Sequence, residues 1–306
     1  MRSNRLLWSL GRARRRVGWA RRLGLFVGDD KLDPATRLRV SYAKWQWRRS
    51  HDIAPGATPV FIVGVQRSGT NMLVRGFETS PEFEVHNEDD PEAFDRFLLR
   101  DERTVRAIVE RSGHRFVLFK PLNDSHRVPD LLDGLGTPSP GRAVWIYRSA
   151  EGRARSAVAT FGDMNVRILR EIAEGRAADR WQAQGLSEDS LNLVRSHDFD
   201  RMSPEAAAVL FWYVRNSLYF EHGLHEREDV MLVSYDAFVR DPSATTRSMC
   251  AFLGVPFTPS LVAHIHPRPS RAGRPIELDP ELARRSEELT ARLDDAAREK
   301  AEQHGG

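Results

Sequence analysis

Four short apolar runs interrupt a chain that is otherwise polar: "PVFIVGV" (59–65), "RFVLFK" (115–120), "RAVWIYR" (142–148) and "DVMLVSY" (229–235). Each is rich in β-branched and aromatic residues, the pattern of strands covered on both faces as in a parallel sheet. "EFEVHNE" (82–88) alternates apolar and polar positions and predicts a further, shorter strand. Between these runs, helix starts take the form of a capping residue followed by proline at the first helical position. Asp33-Pro34, Asp90-Pro91-Glu92, Ser203-Pro204-Glu205, Asp241-Pro242 and Asp279-Pro280-Glu281 all have it. Helical spacing follows, as in Leu210, Tyr213, Val214, Ser217 and Leu218.

Strands alternating with helices predict an α/β fold: three layers, with a mainly parallel central sheet flanked by helices. In such sheets ligands bind at the carboxyl ends of the strands. The chain divides into a basic arm and helix (1–54), an α/β domain (55–275) and a charge-dense C-terminal helix (276–306) whose default is a solvated face. The polar stretch 162–202, with a helix expected around 165–180, reads as an insertion that covers the acceptor or elaborates the surface. Its aromatic residues Phe161, Trp181 and Phe199 suit sugars, lipids or aromatic acceptors alike.

With 306 residues and 41% hydrophobic content, the chain can bury a sizeable core. It has no apolar run of about 18 residues and no signal-peptide pattern, which points to a cytoplasmic protein. The one cysteine, Cys250 in "MCAFLGVPF", excludes an intrachain disulfide framework and reads as a small core residue. High Arg and Ala content suggests a bacterial source. The net charge of +3 is a property of one end: residues 1–22 carry eight arginines and no acid, so the rest sums to −5. No recognised nucleic-acid-reading motif follows the basic segment, so nucleic acid is not an expected partner. Residues 1–28, in which Trp8, Trp19 and Phe26 mix with the arginines, fit peripheral contact with an anionic inner membrane face, or equally a solvated or docked arm.

The most informative stretch is "FIVGVQRSGTN" (61–71), a strand, a glycine-containing turn and a helix start. Backbone N–H groups and the positive end of the helix dipole converge there on one point, as in an anion site; taken alone, the loop fits equally a glycine turn whose Arg only forms a salt bridge. Arg67 adds charge, Ser68 and Thr70 add hydroxyls, and Asn71 adds an amide. A nucleotide-hydrolysing P-loop has Lys followed by Ser or Thr for the γ-phosphate and Mg²⁺, and this loop has Thr70-Asn71 instead. No metal is expected. A second cation site follows the strand "AVWIYR", where Arg148 stands at the carboxyl end and Ser156 lies about two turns into the next helix. Two anion sites in one crevice suit a nucleotide phosphorylated at both ends.

"VGVQRSGTNML" followed by "VWIYRSAEGRARS" resembles the nucleotide-binding segments of sulfotransferases that use 3′-phosphoadenosine 5′-phosphosulfate (PAPS). Further likenesses are the interval of 81 residues from Arg67 to Arg148, the Lys-bearing strand "RFVLFKP" between them and the late segment "VSYDAFVRDPSATTRSMCAFLGVPF". The loop "SRAGR" (270–274) is loosely similar to a basic loop over the 3′-phosphate. The resemblance spans residues 57 to 275. It implies a P-loop-like fold, with Arg67, Ser68, Gly69, Thr70 and Asn71 on the 5′-phosphosulfate. Arg148, Ser156 and Arg271 would then hold the 3′-phosphate, and the product would be adenosine 3′,5′-bisphosphate (PAP).

Sulfuryl transfer also needs a base for the acceptor proton and cations for the leaving group. The cytosolic enzymes of the family carry a His two residues after the strand Lys, where this chain has Leu122. The tyrosylprotein and several carbohydrate sulfotransferases use a Glu beyond the first loop, and Glu88, 21 residues after Arg67, falls there. Glu88 is thus the expected base and His86, on the same face of the strand, the reserve. The alternative for Glu88 is a solvated acidic run with Glu84, Asp89 and Asp90. Lys120, ending a buried strand, needs an anionic partner: the transferring group, or a nearby Asp such as Asp124. Asn123, Ser125 and His126 follow without an assigned partner.

The resemblance thus implies an enzyme moving a sulfuryl group from PAPS to a hydroxyl, less readily an amine, of a small-molecule, carbohydrate or glycolipid acceptor. Two other readings stand beside it: a P-loop kinase or nucleotide-binding enzyme dependent on ATP–Mg²⁺, and a non-catalytic, membrane-associated adaptor on the same fold. Oligomeric state is not readable from the chain.

Overall fold

The computed structural model describes residues 32–51, 56–266 and 275–304. The basic segment 1–28 and Arg271 lie outside them. The first helix, α1 (Pro34–Ser50), is capped by Asp33, whose carboxylate accepts from the N–H groups of Ala35 and Thr36. The strands are β1 (Thr58–Gly64), β2 (Phe83–His86), β3 (Phe94–Asp95), β4 (Leu98–Leu99), β5 (Phe116–Phe119), β6 (Arg142–Tyr147) and β7 (Val230–Ser234). Helices α2 (Thr70–Glu78), α3 (Glu102–Arg111), α4 (Val128–Asp133), α5 (Ala150–Phe161) and α6 (Met164–Ala173) alternate with them. They continue as α7 (Glu188–Arg195), α8 (Pro204–Glu221), α9 (Tyr235–Arg240), α10 (Pro242–Leu253) and α11 (Pro280–His304).

All five expected strands pair in one parallel sheet of order β2-β5-β1-β6-β7. Because side chains alternate across a strand, each apolar run feeds two cores. Phe61, Val63, Phe119, Trp145 and Leu232 face one side, covered by Ile108 of α3, Trp212 of α8 and Leu293 of α11. Val60, Ile62, Leu118, Val144 and Met231 face the other, covered by Phe77 of α2, Phe238 of α9 and Cys250 of α10. The fold is the three-layer α/β sandwich that the alternation of elements predicts. Cys250 is buried, as expected, and burial pushes its thiol up to about 11.

Three features differ from the sequence expectations. Asp90-Pro91 starts no helix: one Asp90 oxygen accepts from the N–H of Glu92 and the other meets His86, and the chain turns into the β3–β4 pair. The helix begins later, at α3, with Asp101 as its cap. The stretch 162–202 forms α6 and α7, packed against α8 in a third apolar cluster. Phe199 is buried there, and Trp181, half-buried, packs on the same cluster and meets Phe211 edge-on at 6.1 Å. Finally, α11 is more than a solvated helix. It buries Leu282, Leu289 and Leu293, accepts a hydrogen bond from the Tyr147 hydroxyl through Asp294, and anchors Lys300 on the Arg227 carbonyl.

Candidate active site

One end of the sheet gathers the charged residues. Glu88 lies two residues beyond β2, Lys120 directly follows β5, and the loop Val65–Gly69 follows β1. Arg148 directly follows β6, and Tyr235 directly follows β7. All five strands run parallel, so these positions sit side by side in the order of the sheet. All of them but the buried Lys120 border a cleft of about 1130 Å³ lined, among others, by Arg67, Gly69, Thr70, Asn71, Glu88, Arg148, Ser156 and Tyr235.

The loop owes its shape to close packing. Gly64 has φ +128°, and a Cβ there would lie 2.2 Å from the Ile146 carbonyl oxygen of β6. Gly69 (φ +92°) precedes α2, and its missing Cβ would lie 2.1 Å from the Tyr235 ring. Arg67 holds φ +72°, a left-handed conformation that costs a residue with a side chain on the order of 1 kcal/mol or more. Two contacts on Gln66 fix it: its amide Nε2 donates to Asn123 Oδ1 at 2.8 Å, and its carbonyl accepts from Arg153 Nε at 3.1 Å. Ser125 Oγ bridges the N–H and carbonyl of Gly64.

Arg67 Nε donates to Ser156 Oγ at 3.1 Å, so the loop and α5 meet across the cleft. Arg148 stacks its guanidinium over the Tyr235 ring at 4.6 Å. Two buried polar atoms here have no partner among the described residues: Ser68 Oγ and Arg148 Nε. A buried donor without a partner costs on the order of 1–3 kcal/mol, and both cost less if an anion accepts from them. The residues present fit a ligand with two anionic groups.

Lys120 answers the question posed by the loop's missing lysine. Its buried ammonium arrives from the neighbouring strand, donates to Asn71 Oδ1 and lies 3.4 Å from Glu88 Oε1. Asp124 is not its partner: that carboxylate accepts from the Leu99 N–H at 2.8 Å and pairs with Arg127 at 3.3 Å. Burial raises the pKa of Asp124, against the pull of those two contacts.

Glu88 and His86 stand apart in their surroundings. Glu88 is half-buried and lines the cleft. His86 is buried, with Nδ1 2.8 Å from Asp90 Oδ2 and Nε2 3.2 Å from Glu84 Oε1. Burial alone would lower its pKa, but the hydrogen bonds to Glu84 and Asp90 outweigh it and the net direction is up. Both ring nitrogens face carboxylate oxygens. Of Glu88's acidic neighbours, Glu84 and Asp90 belong to this histidine.

Sequence reasoning missed Tyr235 and Arg153. Tyr235 was findable from its place at the end of a buried strand, the same signal that marked Arg148. Arg153 gives no such signal, since only the tertiary structure shows it buried. The cleft wall also takes Asp33, Met72, Arg75, His264 and His266, together with Phe97, Phe161 and Met164. Phe161 is thus the one aromatic of the three weighed in the sequence that reaches the cleft.

Among known proteins, the model of the sulfotransferase domain family matches residues 57–270. Solved structures similar to this chain include a sulfotransferase from Alicyclobacillus acidocaldarius, at 19% identity and TM-score 0.38, covering 80% of this chain and 93% of that one. The sulfotransferase domain from the curacin biosynthetic pathway is 14% identical with TM-score 0.47, covering 78% and 99%. Mouse sulfotransferase SULT7A1 complexed with PAP is 15% identical with TM-score 0.41, covering 84% and 92%. No match is found among curated proteins. With the family match running through the loop, the Lys120 strand and the Arg148 segment, the chain belongs to the sulfotransferase domain family and is a sulfotransferase.

Proposed function

We propose that this enzyme moves a sulfuryl group from PAPS to a hydroxyl, less readily an amine, of a small-molecule, carbohydrate or glycolipid acceptor. The observation that carries this reading is the pair of anion-ready positions in one cleft, Ser68 with the loop and Arg148 with Ser156, joined through Arg67. The Lys120–Glu88 pair stands beside the loop end of that cleft. The loop N–H groups, Ser68 and Thr70 hold the 5′ end, and Arg148 and Ser156 hold the 3′-phosphate. The donor supplies an already activated sulfuryl group, so no phosphoryl-transfer metal site is required.

The chain's own residues then divide the work. Glu88 takes the acceptor proton as the acceptor oxygen bonds to sulfur and the bond from sulfur to the bridging phosphate oxygen breaks. Lys120 and the loop donors meet the charge that stays on departing PAP. Without an anion in the cleft, Lys120 is engaged by Glu88. An arriving phosphosulfate competes for that ammonium and frees the carboxylate for the acceptor. His86 is a poor base in comparison, because both of its nitrogens already face carboxylates.

Calorimetric titration tests the reading. PAP should bind tightly in the presence of a chelator, and Arg148→Ala should weaken it; preference for ATP–Mg²⁺ would favour the kinase reading instead. Glu88→Gln should keep PAP binding while lowering turnover about 10²-fold or more, the usual scale of general-base catalysis. Normal turnover in Glu88→Gln would remove the carboxylate from the mechanism, and no turnover by wild type with intact PAP binding would favour the adaptor.

A further inference from the structure

Arg153 is buried on α5, 1% exposed, and has no ion pair with a carboxylate among the described residues. Its guanidinium donates from Nε to the Gln66 carbonyl at 3.1 Å and from Nη1 to the Ala208 carbonyl at 2.9 Å. It also stacks on the Phe211 ring at 5.0 Å. Burial first, and then the charge of Arg67, pull its pKa down to about 9. A guanidinium keeps its proton in a protein, so that pull is a cost carried by the folded chain. Replacing Arg153 by an apolar side chain of similar length removes the buried charge but also the donors to the Gln66 and Ala208 carbonyls.

The location gives the cost a purpose. Gln66 is the residue before Arg67, and the carbonyl held by Arg153 belongs to the peptide that leads into the left-handed turn. Arg153 and Arg67 therefore place two positive charges around the loop, one buried and one exposed, and the charge of Arg67 acts on Arg153. An anion bound in the loop would offset the repulsion between these two like charges.

We infer that Arg153 is a positioning residue for the donor, setting the Arg67 turn and supplying a buried charge that the bound phosphosulfate neutralises. The inference rests on the PAPS reading above for the identity of the anion, but not for its existence. The same chemistry could be met by pyrophosphate, which lacks the adenosine.

The test uses the full-length protein with PAP and, separately, inorganic pyrophosphate. Measured below its melting temperature, Arg153→Met should weaken binding of PAP at least tenfold; the Gln66 and Ala208 carbonyls left without their donor also lower the ligand-free melting temperature. Arg153→Lys, which keeps the charge, should recover a substantial part of the affinity. A purely structural arginine would lower the ligand-free melting temperature in both variants but leave affinity unchanged in whatever remains folded. That result would overturn the inference, as would wild-type affinity in Arg153→Met or equal loss of affinity in Met and Lys. If wild type binds pyrophosphate in an Arg153-dependent way but ignores PAP, the donor reading fails and the role of Arg153 stands.

Discussion

At the scale of single residues, the site separates two acid–base groups that the sequence places two positions apart. His86 ends β2 and Glu88 follows it, yet one is locked between Glu84 and Asp90 and the other opens on the cleft. The locked histidine has a measurable consequence. Its folded-state pKa is raised above the unfolded value of 6.5, so its contribution to stability is complete below pH 6.5 and is lost as pH rises through the folded value. Glu84 shows the same contact from the other side. Burial opposes its ionisation, the hydrogen bonds from His86 and Ser112 win, and its pKa falls to about 2. Its contribution is present above the unfolded 4.5 and lost as pH falls towards about 2, and the two are one interaction counted once. Chemical denaturation of wild type and His86→Gln should therefore show a larger stability gap at pH 6 than at pH 9. A gap independent of pH across that range would mean that the imidazole is held neutral.

At the scale of elements, the clearest signals in the sequence were those with one physical cause. The apolar runs at 59–65, 115–120, 142–148 and 229–235 became β1, β5, β6 and β7 because a strand covered on both faces has no polar face to blur the pattern. Asp33, Ser203 and Asp241 cap helices as their sequences suggest, each through its side chain on a first-turn N–H. Asp90 has the same local sequence and fails, since its carboxylate is shared with His86, a contact made across four residues that no capping rule contains. The C-terminal helix departs from its expectation for a related reason: its charges dominate the sequence, while Leu282, Leu289 and Leu293 are enough to seat one stripe on the core. Leu293→Ala removes a fully buried side chain and should cost about 2–5 kcal/mol, the usual range for a core leucine. Equilibrium unfolding measures it, and a cost under about 0.5 kcal/mol would restore the picture of a solvated helix.

At the scale of the whole molecule, the parallel sheet gives the protein a chemical polarity. The carboxyl ends of β2, β5, β1, β6 and β7 carry Glu88, Lys120, the loop, Arg148 and Tyr235 in the order of the sheet, and the opposite ends carry none of the site. This much was legible once the strands were, because parallel neighbours must place like ends together. What the sequence could not supply is which carboxylate meets Lys120 and which buried arginine supports the loop, since those depend on packing between segments far apart in the chain. The polarity predicts where binding energy is felt. Amide hydrogen exchange with and without PAP should slow in the loop and first turns of α2, in residues 120–127, at the start of α5 and around Tyr235. The helices α3 and α11 pack on one face of the sheet and line no part of the cleft, so those of their amides that open locally should change little. Binding adds RT ln(1 + [L]/Kd) to global stability, about 2.7 kcal/mol at a hundredfold excess over Kd, so amides that exchange only by complete unfolding slow everywhere. The diagnostic signal is therefore in the amides that open locally. Protection confined to α3 or α11 would place the ligand elsewhere and remove the cleft from the mechanism.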